Sequence, residues 1–170
     1  NFPFTRQIGE RSSLNVEAKG EGSDVKALRA PATFIDVTPG YFDAMGIPLL
    51  AGRAFQESDT LKSPWVITLS ERAAKALFGE RNPIGQQVRA GTPGFYDPWA
   101  TVVGVVGNVK YRAQDGDRGL EFYYPYKQYG LGTAHVAVRV QGNPAQLEAA
   151  IRRVVAEADP ETAVNEVKTM

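Results

Sequence analysis

Cysteine is absent from the 170 residues. That excludes disulfides, thiolate catalysis and zinc–thiolate sites, and it leaves the redox compartment undecided. Histidine occurs once, at His135. No apolar run approaches the roughly twenty residues a bilayer-crossing helix requires. Neither Gly-x-Gly-x-x-Gly nor a Gly-Lys-Ser/Thr loop exists, so the phosphate cradle of nucleotide-binding folds is missing and no cofactor is expected. Charge of one sign is lacking too. Lys plus Arg and Asp plus Glu number 19 each, which leaves no formal net charge. Without a dense basic run, neither a nucleic-acid partner nor attraction to an anionic membrane surface is expected. No signal peptide opens the chain. It begins at Asn1 rather than methionine, and we expect an excised or processed segment.

What is present suits a packed domain. Hydrophobic residues make up 43% of the chain, too many for a disordered one. The length fits one domain, or two small ones, burying about two-thirds of the unfolded surface. The organising stretch is VTPGYFDAMGIPLLAGRAF, residues 37–55. Thr38 is expected to cap a helix whose first position is Pro39. Tyr41, Phe42 and Met45 give that turn an apolar side. Gly46 suits the left-handed conformation that ends a helix, and Pro48 blocks continuation. The pair Leu49-Leu50 then starts a second extended run, with Gly52 behind it.

Around this stretch the pattern is mixed. Residues 1–12 read as an extended segment docked by Phe2 and Phe4. Leu14 and Val16 mark a half-buried strand, and 19–24 is a loop. Residues 33–37 and 65–69 read as strands. Ser70 caps a helix over 71–78, with Ala73, Ala74, Leu77 and Phe78 as its core stripe and Gly79 as its end. A short strand is expected at 84–88, then a surface excursion carrying Phe95, Tyr96 and Trp99. Residues 101–109 are apolar on both faces and predict a central strand, in which Gly104 and Gly107 suggest a bulge or close backbone crossing. A polar loop covers 114–119. Residues 120–126 form an aromatic strand that Pro125 confines to an edge or an end. Residues 135–140 alternate as a strand. The clearest helix is 144–158, with Asn143 as cap, Gln146 completing the box and Pro160 closing it. A last strand is expected at 163–168. Strand, helix and strand at the end make half of a ferredoxin-like α+β unit.

Reactive groupings are sparse. Asp115 and Asp117 lack the further oxygen ligands of a calcium loop and read as a solvated turn. His135 has no activated serine beside it, so we expect a surface or packing role and not a hydrolase. The pairs Gly104/Gly107, Gly91/Gly94 and Gly130/Gly132 read as turn and bulge glycines. Phe95, Tyr96, Trp99, Phe122, Tyr123, Tyr124, Tyr126 and Tyr129 are the most suggestive group. They read first as core and second as a ligand or peptide groove. No catalytic, cofactor-binding or metal residue is assigned.

Residues 37–55 resemble the periplasmic core domain of MacB-type, FtsX-like ABC transporter permeases, most of all the duplicated orphan permeases of acidobacterial type. The likeness continues in order. Val66-Ile67-Thr68-Leu69-Ser70-Glu71, then Ala76-Leu77-Phe78 and Asn82-Pro83-Ile84-Gly85, is similar to the family's VVISE…LF…DPIG block. Residues 102–110 are similar to its VVGVVGDVR strand. The resemblance implies a non-enzymatic extracytoplasmic domain of a bacterial inner-membrane protein, coupling transmembrane-helix movement to periplasmic rearrangement or substrate handling. Implied partners are the transmembrane helices of the same permease, a second permease half or homodimer partner, and a separate ATPase subunit. It also implies one domain, 1–170, split into a porter-like part, 1–32 plus 134–170, and an inserted β-rich subdomain, 33–133. The fold class is then α+β, an incomplete ferredoxin-like βαβ unit with a mostly-β insertion, because the unit's first strand and helix have no candidate after Asn1. The alternative function is an extracytoplasmic ligand- or peptide-binding module built on the aromatic group.

Overall fold

In the computed structural model, strands β1 (Phe4–Lys19) and β2 (Val25–Val37) form a long antiparallel ladder, from Thr5 opposite Val37 to Lys19 opposite Val25. The structure describes residues 4–20, 25–92, 95–96, 98–109, 119–129, 135–136 and 147–160. The chain divides into two units, Asn1–Val138 and Arg139–Met170.

In the first unit, β2 is followed by the helical turn α1 (Tyr41–Met45), β3 (Leu49–Gly52), β4 (Val66–Ser70), helix α2 (Glu71–Phe78) and β5 (Gln87–Thr92). Then come β6 (Phe95–Tyr96), β7 (Ala100–Val106), β8 (Leu120–Pro125), the turn α3 (Tyr126–Tyr129) and β9 (His135–Val136). The fold is α+β with a sheet-dominated core. Strand order is β3-β7-β4-β8-β2-β1-β5-β6, with β9 beside β1. Strand β5 pairs with β1 and also with β7, so the ladder from β7 through β4, β8, β2 and β1 returns to its start and closes. Closure removes most free edges.

The side-chain period of two sorts each strand between two clusters. Val16 and Ala18, Ala32 and Phe34, Ile67 and Leu69, Val88 and Ala90, Ala100 and Val102, and Phe122 and Tyr124 share one core, which α2 joins through Ala73, Ala74, Leu77 and Phe78. Ile35, Val37, Val66, Val106 and Tyr123 face the other way and meet Tyr41, Phe42, Ile47 and Phe55. Phe34 stacks on Phe122 at 5.1 Å in the first core, while Tyr123 meets Phe42 edge-on at 5.1 Å in the second.

The predicted central strand is interior, with β3 and β4 on its two sides. Its glycines do what their spacing suggests. The ladder with β4 slips between Ile67 and Thr68, which leaves Val103 as a bulge before Gly104. The bulge resets the alternation. Ala100 and Val102 reach the first core, and so does Val105, three residues on rather than two. A Cβ on Gly104 would lie 2.5 Å from the Arg53 carbonyl, and one on Gly107 would lie 2.9 Å from Pro48 Cγ.

Helix α2 forms as expected. Ser70 Oγ accepts from the Ala73 N–H at 3.3 Å, and the four apolar residues of its stripe are buried. Gly46 takes φ 68° and ends α1. Pro125 is the last residue of β8, an end and not an edge.

Several boundaries differ from expectation. Helix α1 starts at Tyr41, not Pro39, and its cap position is Gly40 rather than Thr38. The Thr38 carbonyl accepts the Tyr41 N–H, so Pro39-Gly40 forms a turn, and Gly40 at φ 86° cannot be helical. The strand expected at 33–37 is the buried end of a strand that begins at Val25. Pro31 fits inside it because β8 starts alongside only at Ala32, so no neighbour on that side needs the missing N–H. Instead of a strand at 84–88, Ile84 and Gly85 turn. Asn82 Oδ1 accepts the Ile84 N–H, Gly85 sits at φ 84°, and pairing begins at Gln87. The excursion with Phe95 and Tyr96 is a hairpin of β5 and β6.

The second unit contains α4 (Glu148–Ala158), closed where Asp159 turns extended. The expected cap Asn143 with Pro144, most of the strand at 135–140 and the strand at 163–168 lie outside the described residues. So do residues 21–24 of the first loop.

Candidate functional site

The segment between β3 and β4 crosses the surface with few apolar anchors, yet it is tightly tied. Arg53 reaches Asp59 with both terminal guanidinium nitrogens, Nη1 and Nη2, each at 2.9 Å. The Gln56 N–H adds a third bond to the same carboxylate at 2.8 Å. Asp59 is buried. Burial pushes its pKa up, but the hydrogen bonds from Arg53 and from the Gln56 backbone outweigh that and hold the carboxyl below its ordinary value. The same pairing raises the Arg53 pKa.

Gln128, on α3, holds the far end of the segment. Its side chain is buried, and its amide serves main chain almost throughout. Oε1 accepts the Val66 N–H at 3.1 Å. Nε2 faces the Thr60 and Pro64 carbonyls at 3.2 and 3.0 Å and Ser63 Oγ at 3.2 Å. Beside it, Lys127 Nζ donates to Glu57 at 2.6 Å, a contact that raises the Lys127 pKa. Neither Gln128 nor the Arg53–Asp59 pair carries a sequence signal. A glutamine between Lys127 and Tyr129 reads as surface, and an Arg-to-Asp spacing of six in an irregular stretch belongs to no periodic pattern.

The five described side chains of the aromatic group do not share one groove. Phe122 and Tyr124 are buried in one core, Tyr123 in the other. Trp99 lies apart and half-buried, with the Arg89 guanidinium 4.6 Å above its ring and Glu17 holding Arg89 at 2.7 Å. Tyr126 is half-buried on α3, 6.0 Å from Lys127 Nζ. The side chains of Phe95, Tyr96 and Tyr129 are outside the described residues, as are Asp115, Asp117 and the glycines at 94, 130 and 132. His135 pairs through its backbone with Thr5.

At the end of α2 lies a cleft of about 190 Å³ lined by Ala18, Gly20, Val25, Lys26, Leu77, Phe78 and Arg81. It is smaller than the roughly 300–1,000 Å³ of ordinary ligand pockets. Its two cations are engaged with the helix: Lys26 Nζ donates to the Ala76 carbonyl at 2.8 Å and Arg81 Nε to that of Phe78 at 3.4 Å. That is where positive charge suits a helix dipole. Among the described residues, no three His, Asp or Glu side chains gather to hold a metal ion. No helix there is long and apolar enough to cross a membrane. What the arrangement offers is packed strands and polar ties.

Comparisons with known proteins agree with this picture. The chain is 36% identical over 86 residues to the macrolide export ATP-binding/permease protein MacB of Aggregatibacter actinomycetemcomitans. It is 31% identical over 100 residues to the MacB 1/2 protein of Paracoccus denitrificans. The matches take in 51% and 59% of this chain but only 12% and 14% of those proteins. In structure it is similar to the periplasmic region of MacB from Actinobacillus actinomycetemcomitans, with a TM-score of 0.61 at 24% identity, covering 91% of this chain and 66% of that one. The extracellular domain of the noncanonic ABC-type transporter YknZ, from Gram-positive bacteria, follows with a TM-score of 0.53 at 20% identity, covering 89% and 75%. Both likenesses concern the fold. The model of the MacB-like periplasmic core domain matches residues 2–169, nearly end to end, and the chain belongs to that family.

Proposed function

We propose that this domain is the extracytoplasmic part of an ABC-type permease, carries no reactive centre, and relays movement of the permease's transmembrane helices to a rearrangement or substrate-handling step outside the membrane. The observation that carries the reading is membership of the periplasmic core family over residues 2–169. The packing supports it. A ladder closed on itself, with a core on either face of its strands, deforms little under load, because interiors at crystal-like density transmit strain.

The partners this implies are the transmembrane helices of the same polypeptide, a second permease half or copy, and an ATPase on a separate subunit. A porter-like part, 1–32 plus 134–170, flanking the β-rich 33–133, is the division by which such a relay would work. It makes an incomplete ferredoxin-like unit the lever. The orphan-permease subtype rests on the likeness of residues 37–55.

The chain has no cysteine, so a cysteine pair introduced within it meets no native thiol of this segment. Joining residues 163–168, expected from the sequence to be a strand, to the strand they pair with is expected to stop transport while nucleotide binding persists. Undiminished transport by the cross-linked permease would sink the relay.

A further inference from the structure

The segment from Gln56 to Pro64 is held in an unusual way. Its flanks are aromatic anchors on opposite faces of the sheet. Phe55 is buried in the second core and Trp65 packs against the first. Between them no apolar side chain is buried. Asp59 is the one buried residue, and Leu61 is 69% exposed. Bonds within the segment keep its shape: Asp59 with the Gln56 N–H, and Ser63 Oγ with the Thr60 N–H and carbonyl. The segment is kept on the body by the Arg53–Asp59 pair at its start and by the Gln128 amide at its far end, with the exposed Lys127–Glu57 pair beside that amide.

We propose that residues 56–64 are a strap that opens as one unit about Phe55 and Trp65, with Gln128 as its latch. Local opening without global unfolding is expected where hydrogen bonds, and not apolar burial, attach a segment. Internal bonding keeps the strap whole as it lifts. Because the latch sits on α3, displacement of α3 is passed to the strap and to Val66 at the start of β4.

Hydrogen exchange on the 170-residue chain tests this separately from any transport measurement. In the unaltered protein the amides of Asp59, Ser63 and Val66, bonded to Gln56, Thr60 and Gln128, should exchange well before those of Thr101 and Val102, bonded to Trp65 and Gln86. Gln128→Met keeps the volume and removes the bonds. It should speed the strap amides and Val66 about ten- to a hundredfold, the range expected for losing buried hydrogen bonds, and leave Thr101 and Val102 unchanged. Ser63→Ala, a milder change should Gln128→Met not fold, should speed Asp59 and Ser63 by a smaller factor. Acceleration spread equally over β4 and β7 would make Gln128 a brace of the whole sheet and overturn the strap, as would unaltered exchange in both variants.

Discussion

The Arg53 N–H donates to the Val103 carbonyl at 2.8 Å, and this one bond brings two glycines against backbone. A Cβ on Gly52 would lie 2.1 Å from that carbonyl oxygen, and one on Gly104 would lie 2.5 Å from the Arg53 carbonyl oxygen. The crossing positions β3 on β7 and starts the tied segment that follows. Gly52→Ala combines a left-handed backbone, φ 74°, with a clash that no rotamer relieves. It should destabilise by about 2–4 kcal/mol. Gly40→Asn, also left-handed but with nothing within 4 Å, should change stability little. Thermal unfolding of the two variants checks the contrast, and a fall for Gly40→Asn as large as for Gly52→Ala would refute it.

Ser70 works for two elements. Its hydroxyl accepts from Ala73 at the start of α2 and from the Glu121 N–H of β8, both at 3.3 Å. Ser70→Ala takes an acceptor from two buried donors at once and should cost about 2–3 kcal/mol in urea unfolding, more than the roughly 1 kcal/mol of an ordinary cap. Asn108→Ala removes exposed bonds to Arg72 and Glu71 and should cost less than 1 kcal/mol or so.

Acid should loosen the Arg53–Asp59 tie. The Asp59 pKa is lower in the folded chain than in the unfolded one. Its contribution is therefore fully present above the unfolded value of about 3.9 and is lost as pH falls through the folded value. Asp59→Asn should destabilise at neutral pH by about 2 kcal/mol. The gap between variant and parent should close as pH falls below about 4. Urea midpoints between neutral pH and pH 3 measure it, and a constant gap would disprove the assignment.

Core and surface aromatics should separate cleanly. Phe122 is fully buried on Phe34, and Phe122→Ala should cost about 3–5 kcal/mol. Half-buried Trp99 loses mainly its contact with Arg89, and Trp99→Ala should cost roughly 1 kcal/mol. Should Trp99 belong to a ligand groove instead, a small-molecule thermal-shift screen would find a compound whose effect Trp99→Ala abolishes.

Much of the fold is legible in local chemistry. Ser70 before an apolar stripe, Gly46 after Met45, and Pro125 at a strand's end each act through their own backbone, so their effect is written where they stand. Boundaries failed where a neighbour decided them. Pro39 looked like a first helical residue, but the Thr38 carbonyl and the left-handed Gly40 made a turn. Val25 to Pro31 shows no clear alternation, yet it is strand because β1 lies alongside.

By itself the sequence determined the lineage, the α+β mixture, the α2 stripe and the need for small residues at 104 and 107. These follow from residue type and short spacing. Tertiary structure alone decided that β5 bridges β1 and β7 to close the ladder, that neighbouring aromatics of β8 part into two cores, and that Gln128 reaches back sixty-two residues to Val66. Pairing across long sequence separations depends on which surfaces meet once the chain has collapsed, and no local pattern encodes that.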